Sequence, residues 1–316
     1  MKSGWSFAAL TGAVAVGMIM LPALAPGDSE KELKPTGKGI GTLFNPGNGN
    51  ANGQGKGGPG GGTTDNGIIY HGGPLLTGTV NVYYIWYGDW TKADNAAAVP
   101  ILTDLAKNIG GSPYFNINST YYDSTSHRVI NSVAYVKSTD DHYSHGTSLS
   151  DAAVQDVVKV NLGALGNDTS GVYFVLTSAD VTASSGFCTQ YCGWHTFGTI
   201  NGTNIKYSFV GDPTRCPTAC MAQSIGPNGS TGADGMASVI AHELEEATTD
   251  PNLNAWYDRR GYENADKCAW TFGTTYVAPN GALANMKLGK DTTARDFLIQ
   301  RNWVNASGGY CALSYP

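Results

Sequence analysis

The sequence predicts a mixed α/β (α+β) domain, a β-sheet with flanking helices, and three observations carry that expectation. β-branched and aromatic runs alternate with segments of helical spacing from residue 79 onward. One late segment, 234–249, has the clearest apolar stripe in the chain. All six cysteines fall at or after position 188, so the C-terminal part is expected to be stapled.

The elements follow in order. Thr79–Tyr87 (TVNVYYIWY) is β-branched and aromatic, hence a strand. Residues 93–109 have helical spacing around AAAVPILTDLAKNI, with Pro100 able to shift the start. Arg128–Val136 reads as a second strand, and 150–165 as a helix capped by Ser150 or Asp151. Gly171–Leu176 and Asn204–Val210 read as further strands. In 234–249 (DGMASVIAHELEEATT) Asp234 can cap the start, Pro251 follows the end, and Met236, Val239, Ile240, Leu244 and Ala247 form the stripe. Region 268–316 is rich in Gly and aromatics, reads as irregular, and is tied back by Cys311.

The ends of the chain set its compartment. Lys2, an apolar run from Trp5 to Leu21, and Ala23-Leu24-Ala25 have the form of a signal peptide over residues 1–25. Retention as an anchor is the rival, since the run approaches the ~20 residues that span a bilayer. Residues 26–66 are a Gly/Asn-rich linker with too little apolar surface to fold, which leaves one domain over 67–316. Charged residues are only 14% of the chain, net charge is −6, and no basic cluster occurs, which excludes a nucleic-acid footprint. The expectation is a secreted, extracellular monomer, free of the membrane once the signal is cleaved, with a peptide or cell-wall partner.

An even number of cysteines in an exported chain reads as disulfides. Spacing favours the pairs Cys188–Cys192, Cys216–Cys220 and Cys268–Cys311. A four-thiolate zinc site from the two C-x3-C pairs is the alternative, and export weighs against it.

The chemistry concentrates in His242-Glu243-Leu244-Glu245-Glu246. His242 and Glu246 are four apart, so they share a helix face, while Glu245 points away. The spacing is that of H-E-x-x-H, with the second His replaced by Glu. Glu263-Asn264-Ala265-Asp266 follows, read as an E-x-x-D on a second helix. The layout resembles that of gluzincin metallopeptidases. The resemblance implies a zincin-like domain with His242, Glu246 and Glu263 as metal ligands and Glu243 as general base. It also implies that Asp266 orients His242 through its other ring nitrogen. The cofactor expected is one divalent metal, zinc first, with manganese or calcium as alternatives because the donors are oxygen-rich. Two anionic ligands neutralise the cation and weaken it as a Lewis acid, so binding is better supported than catalysis. His195 and Tyr257 are candidates to steady an oxyanion, and His195 also to complete the coordination sphere, although His195 reads rather as a hydrogen-bonded loop residue and Tyr257 equally as packing. No Gly-x-Ser-x-Gly elbow supports a serine hydrolase.

Several segments together resemble the EXORDIUM, or phosphate-induced, family: HGGPLLTGTVNVYYIWYGDW (71–90), GFCTQYCGWH (186–195), CPTAC (216–220), GADGMASVIAHELEEATTDP (232–251), AWYD (255–258) and ENADKCAW (263–270). The resemblance spans the whole of 67–316. It implies a secreted protein and brings no assigned biochemical activity. A non-catalytic extracellular binding protein is therefore the alternative to a metallopeptidase, and carbohydrate binding through the aromatics a third reading.

Overall fold

The first strand of the central sheet, β1 (Val80–Tyr87), is buried on both faces, as a strand covered by helices on either side must be. It belongs to a computed structural model that describes residues 67–290 and 294–316, together with Met1. The expected signal peptide and linker otherwise lie outside the described residues.

After β1 come α1 (Ala93–Asn108), β2 (Val133–Asp141), α2 (Asp151–Leu165), β3 (Gly171–Thr177), the hairpin β4 (Gly193–Ile200) and β5 (Thr203–Gly211), and α3 (Thr231–Thr249). The five strands stand in the order β2-β1-β3-β5-β4. β1 runs parallel to β2 and β3, β3 runs parallel to β5, and β4 closes the sheet as an antiparallel edge. The chain steps one way through α1 and back over β1 through α2. Right-handed connections therefore place these helices on opposite faces. α3 packs on α1, β4 and β5, so it lies on the α1 face. The domain is thus mixed α+β, in line with the sequence expectation.

The boundaries of β1, α1, α2, β3 and β5 fall within a residue or two of those read from sequence. Ser150 is the cap of α2 and accepts from the Ala153 N–H at 3.1 Å. Three assignments are corrected. β2 begins at Val133 rather than Arg128, because Tyr122 and Arg128 form an isolated bridge and the chain turns at 130–132 before pairing with β1. β4 went unread as a strand. Glu263–Asp266 is not on an α-helix: residues 263–265 lie outside any helix, and Asp266 opens a single 3₁₀ turn, Asp266–Cys268.

The cysteine pairing is also corrected. The disulfides are Cys188–Cys216, Cys192–Cys220 and Cys268–Cys311, so only the last expected pair forms. The hairpin is the reason. Gly193 pairs with Val210, which sets the residues just before β4 beside those just after β5. Two bonds then staple the 188–192 loop to the helical turn Pro217–Cys220. The first to form closes 28 residues instead of four, a loop-entropy contribution of about 3.6 kcal/mol, and the second then closes a loop of only about eight residues, about 2.5 kcal/mol. Beyond Cys268 the chain forms three small antiparallel ladders, 276–277 with 283–284, 286–288 with 295–297, and 302–304 with 310–312. Among the described residues no helix is long and apolar enough to cross a membrane.

Candidate metal centre

α3 starts earlier than its stripe suggests. Ser230 caps it, accepting from the Ala233 N–H at 3.4 Å, while Asp234 sits inside the first turn and takes the Asn228 N–H at 3.0 Å. From Met236 to Thr249 nearly every side chain is buried, polar ones included. A helix covered all round must either be apolar throughout or bring polar groups with partners of their own. Here His242, Glu243, Glu245 and Glu246 are 5%, 2%, 0% and 0% exposed, so their charges are out of water.

β4 supplies the second wall. Alternation along the strand turns His195 inward, fully buried. Gly193 lets the helix approach: a Cβ there would lie 2.5 Å from Val239 Cγ1, 2.9 Å from the Phe209 carbonyl oxygen and 3.2 Å from Glu243 Oε1. The loop after α3 supplies the third. Glu263 faces His195 Nε2 at 3.1 and 3.3 Å through its two oxygens. Asn264 donates to the Glu245 carbonyl at 3.2 Å, locking the loop to the helix. The Asp266 N–H donates to Glu246 Oε1 at 3.0 Å.

Glu246 sits at the middle. Its Oε1 is 2.9 Å from His242 Nε2 and its Oε2 is 3.7 Å from His195 Nε2. Donor atoms within 4.8 Å of one another form two trios, His195/Glu246/Glu263 and His242/Glu243/Glu246. Burial and the neighbouring charge on His242 push His195 down to about 3, so it stays a neutral imidazole. Burial pulls His242 down as well, but the charge of Glu246 and the hydrogen bond to Asp266 outweigh it and hold the ring protonated. Glu263 is raised well above the usual carboxylate range by burial and then by the charges of Glu246, Asp250, Asp266 and Glu243. Protons on His242 and Glu263 thus offset part of the buried negative charge. The donor set of imidazole and carboxylate suits a borderline or hard divalent ion.

The family model for the phosphate-induced protein 1 conserved region matches residues 68–304. The chain belongs to the phosphate-induced, or EXORDIUM, family. It is 34% identical to Protein EXORDIUM-like 3 of Arabidopsis thaliana over 281 residues, 77% of this chain and 82% of the relative. Protein EXORDIUM of the same plant is 29% identical over 227 residues, 63% and 70% of the two chains. Protein PHOSPHATE-INDUCED 1 of Nicotiana tabacum is 27% identical over 215 residues, 60% and 67%. No solved structure matches the chain.

In this EXORDIUM-family domain the residues singled out by sequence are partly reunited. His242, Glu243, Glu246 and Glu263 do converge. Glu263, however, meets His195 rather than His242, so the three expected ligands do not form a trio of their own. His195 is no loop residue; it belongs to β4 and to the cluster. Asp266 does not reach the far nitrogen of His242, for its Oδ1 stands 3.6 Å from Nε2, on the Glu246 side. Gln300 takes the far nitrogen instead, its Nε2 against Nδ1, while its Oε1 accepts the Trp270 N–H at 3.1 Å. That orientation would make Nδ1 an acceptor, which the nitrogen of a protonated ring is not. Turning the amide over would let Nδ1 donate and free Nε2 as a ligand. Nothing in the sequence marks Gln300, which lies in an irregular segment. Tyr257 is held differently: it pairs with Ile69, and its ring stacks on His71 with centroids 3.6 Å apart.

A cleft reaches the cluster from one side. Met221, Val239, Trp270, Phe272 and Leu298 give it apolar walls, and His242 and Glu243 are part of its lining. His195, Glu246 and Glu263 are not.

Proposed function

We propose that the chain is an extracellular binding protein of the EXORDIUM type whose buried His/Glu cluster holds divalent metal as part of the folded structure. The carrying observation is the convergence of two histidines and three glutamates from β4, α3 and the following loop, all of them buried. Carboxylates buried that deeply call for a cation or for protons. Family membership supports the extracellular, non-catalytic reading, and three disulfides accord with an oxidising compartment. The partner proposed is a peptide or a cell-wall component. Elemental analysis of the exported, purified protein tests the metal. We expect stoichiometric zinc or manganese in the wild type and none in Glu246→Ala; a metal-free wild type that also takes up no added ion would refute the reading.

A second reading, a zincin-like hydrolase, is favoured by one observation: the cleft opens on His242 and Glu243. There Glu243 would take a proton from water attacking a carbonyl, His242 would hold the cation that polarises it, and the apolar walls would seat a side chain. Turnover of a peptide library by the wild type, lost in Glu243→Gln, is the outcome this reading requires.

A further inference from the structure

We infer that the cluster is built for two divalent cations bridged by Glu246, one sealed beneath β4 and one facing the cleft. This rests on the metal reading above and goes beyond it in number, position and chemistry. The donors fall into two trios with Glu246 as the shared member. A single ion with ligands at ~2.0–2.2 Å cannot serve both, since its donors must crowd within about 4 Å of one another. His195, His242, Glu246 and Glu263 do not form one such group.

The orientation of Glu246 supports the division. Its two oxygens face different histidines, Oε1 toward His242 and Oε2 toward His195. A carboxylate aimed both ways is the bridging ligand of two-metal sites. Each side then has one imidazole, one further glutamate and a share of Glu246: His195 with Glu263, His242 with Glu243. Asp266 Oδ1, 3.6 Å from His242 Nε2, adds a donor beside His242.

Charge supports it as well. Glu243, Glu246, Glu263 and Asp266 bring four carboxylates to two imidazoles. With all four carboxylates ionised and both imidazoles neutral, two divalent cations balance the charge, whereas one balances it only while His242 and Glu263 keep their protons. Mixed imidazole and carboxylate donors select first-row ions of the Mn²⁺ or Zn²⁺ kind over calcium. The positions also differ in access, because His242 and Glu243 line the cleft while His195 and Glu263 do not.

The test is metal stoichiometry on the full domain, stripped by chelator and reloaded with Mn²⁺. We expect two Mn²⁺ per chain with an exchange-coupled paramagnetic resonance spectrum, and removal by chelator in two phases, the cleft-side ion leaving first. Glu263→Gln and Glu243→Gln should each lower the count to one and abolish the coupling. One ion in the wild type overturns the pair and leaves the single-metal reading standing. Zero overturns both. Two uncoupled ions whose number is unchanged in Glu263→Gln place the second elsewhere and also overturn it. The wild-type count and spectrum decide the question even where a variant folds poorly.

Discussion

At the scale of single residues, adjacent glutamates on α3 have opposite fates. Glu245 points away from the cluster yet is fully buried, and burial raises its carboxyl well above the usual range. It therefore stays a neutral acid that accepts from Asn302 Nδ2 at 2.6 Å. Glu245→Gln keeps shape and neutrality, so we expect a change within about 1 kcal/mol in denaturant unfolding and unchanged metal content. Glu246→Gln, one position on, should lose the metal outright; equal effects of the two would deny Glu246 its central place. Gly193 makes a different point. An added Cβ would meet Val239 and the Phe209 carbonyl, and only the side chain can move. Gly193→Ala should cost about 1–3 kcal/mol, with partial recovery in Gly193→Ala/Val239→Ala. Full stability of the single variant would show that the helix is not pressed against β4.

At the scale of elements, what could be read from sequence depended on whether an element's own pattern declared its surroundings. α3 showed its apolar stripe and its His/Glu spacing, so its position and chemistry were both legible. β4 did not, because Gly193, His195 and Gly198 interrupt the run and the cysteines before it suggest a loop. Missing β4 concealed three things together: the wall that carries His195, the partner of Glu263, and the disulfide pairing imposed by the β4–β5 hairpin. β2 was shifted because its second half, Lys137–Asp141, is polar and carries no strand signature of its own. Peptide mapping under non-reducing conditions should find Cys188 joined to Cys216 and Cys192 to Cys220. Cys192→Ser/Cys220→Ser, with Cys188–Cys216 intact, frees a loop of only about eight residues and should cost about 2–3 kcal/mol. The start of α3 titrates. Burial raises Asp234 to about 6 against hydrogen bonds from Asn228 that oppose the rise. The folded state thus holds this proton more tightly than the unfolded chain, whose Asp ionises near 3.9. The associated stability is complete below pH ~4 and falls as pH climbs through about 6, by an amount on the order of 3 kcal/mol. Asp234→Asn removes that slope, so the difference between the two unfolding free energies should vary across pH 4–6 and level off above.

For the molecule as a whole, the cluster joins parts distant in sequence: the sheet edge through His195, the central helix of one face through His242 and Glu246, and the C-terminal region through Glu263 and Gln300. Without metal these parts are still connected, since His195 meets Glu263 and Glu246, and Gln300 meets His242. The metal-free domain should therefore remain folded, unlike small domains that exist only around their ion. Binding adds stability by mass action, about 2.7 kcal/mol at a free ion concentration one hundred times Kd. For a domain of this size each kcal/mol moves Tm by about 2–4 °C, so chelation should lower Tm by roughly 5–10 °C without changing far-ultraviolet circular dichroism at 25 °C. Because Glu263 and His242 hold protons in the metal-free state, loading must release them, and the Tm gain should shrink as pH falls. A Tm indifferent to chelator and to added ion at every pH would mean that protons alone hold the cluster, and that the three parts of the fold are joined by ion pairs and hydrogen bonds without metal.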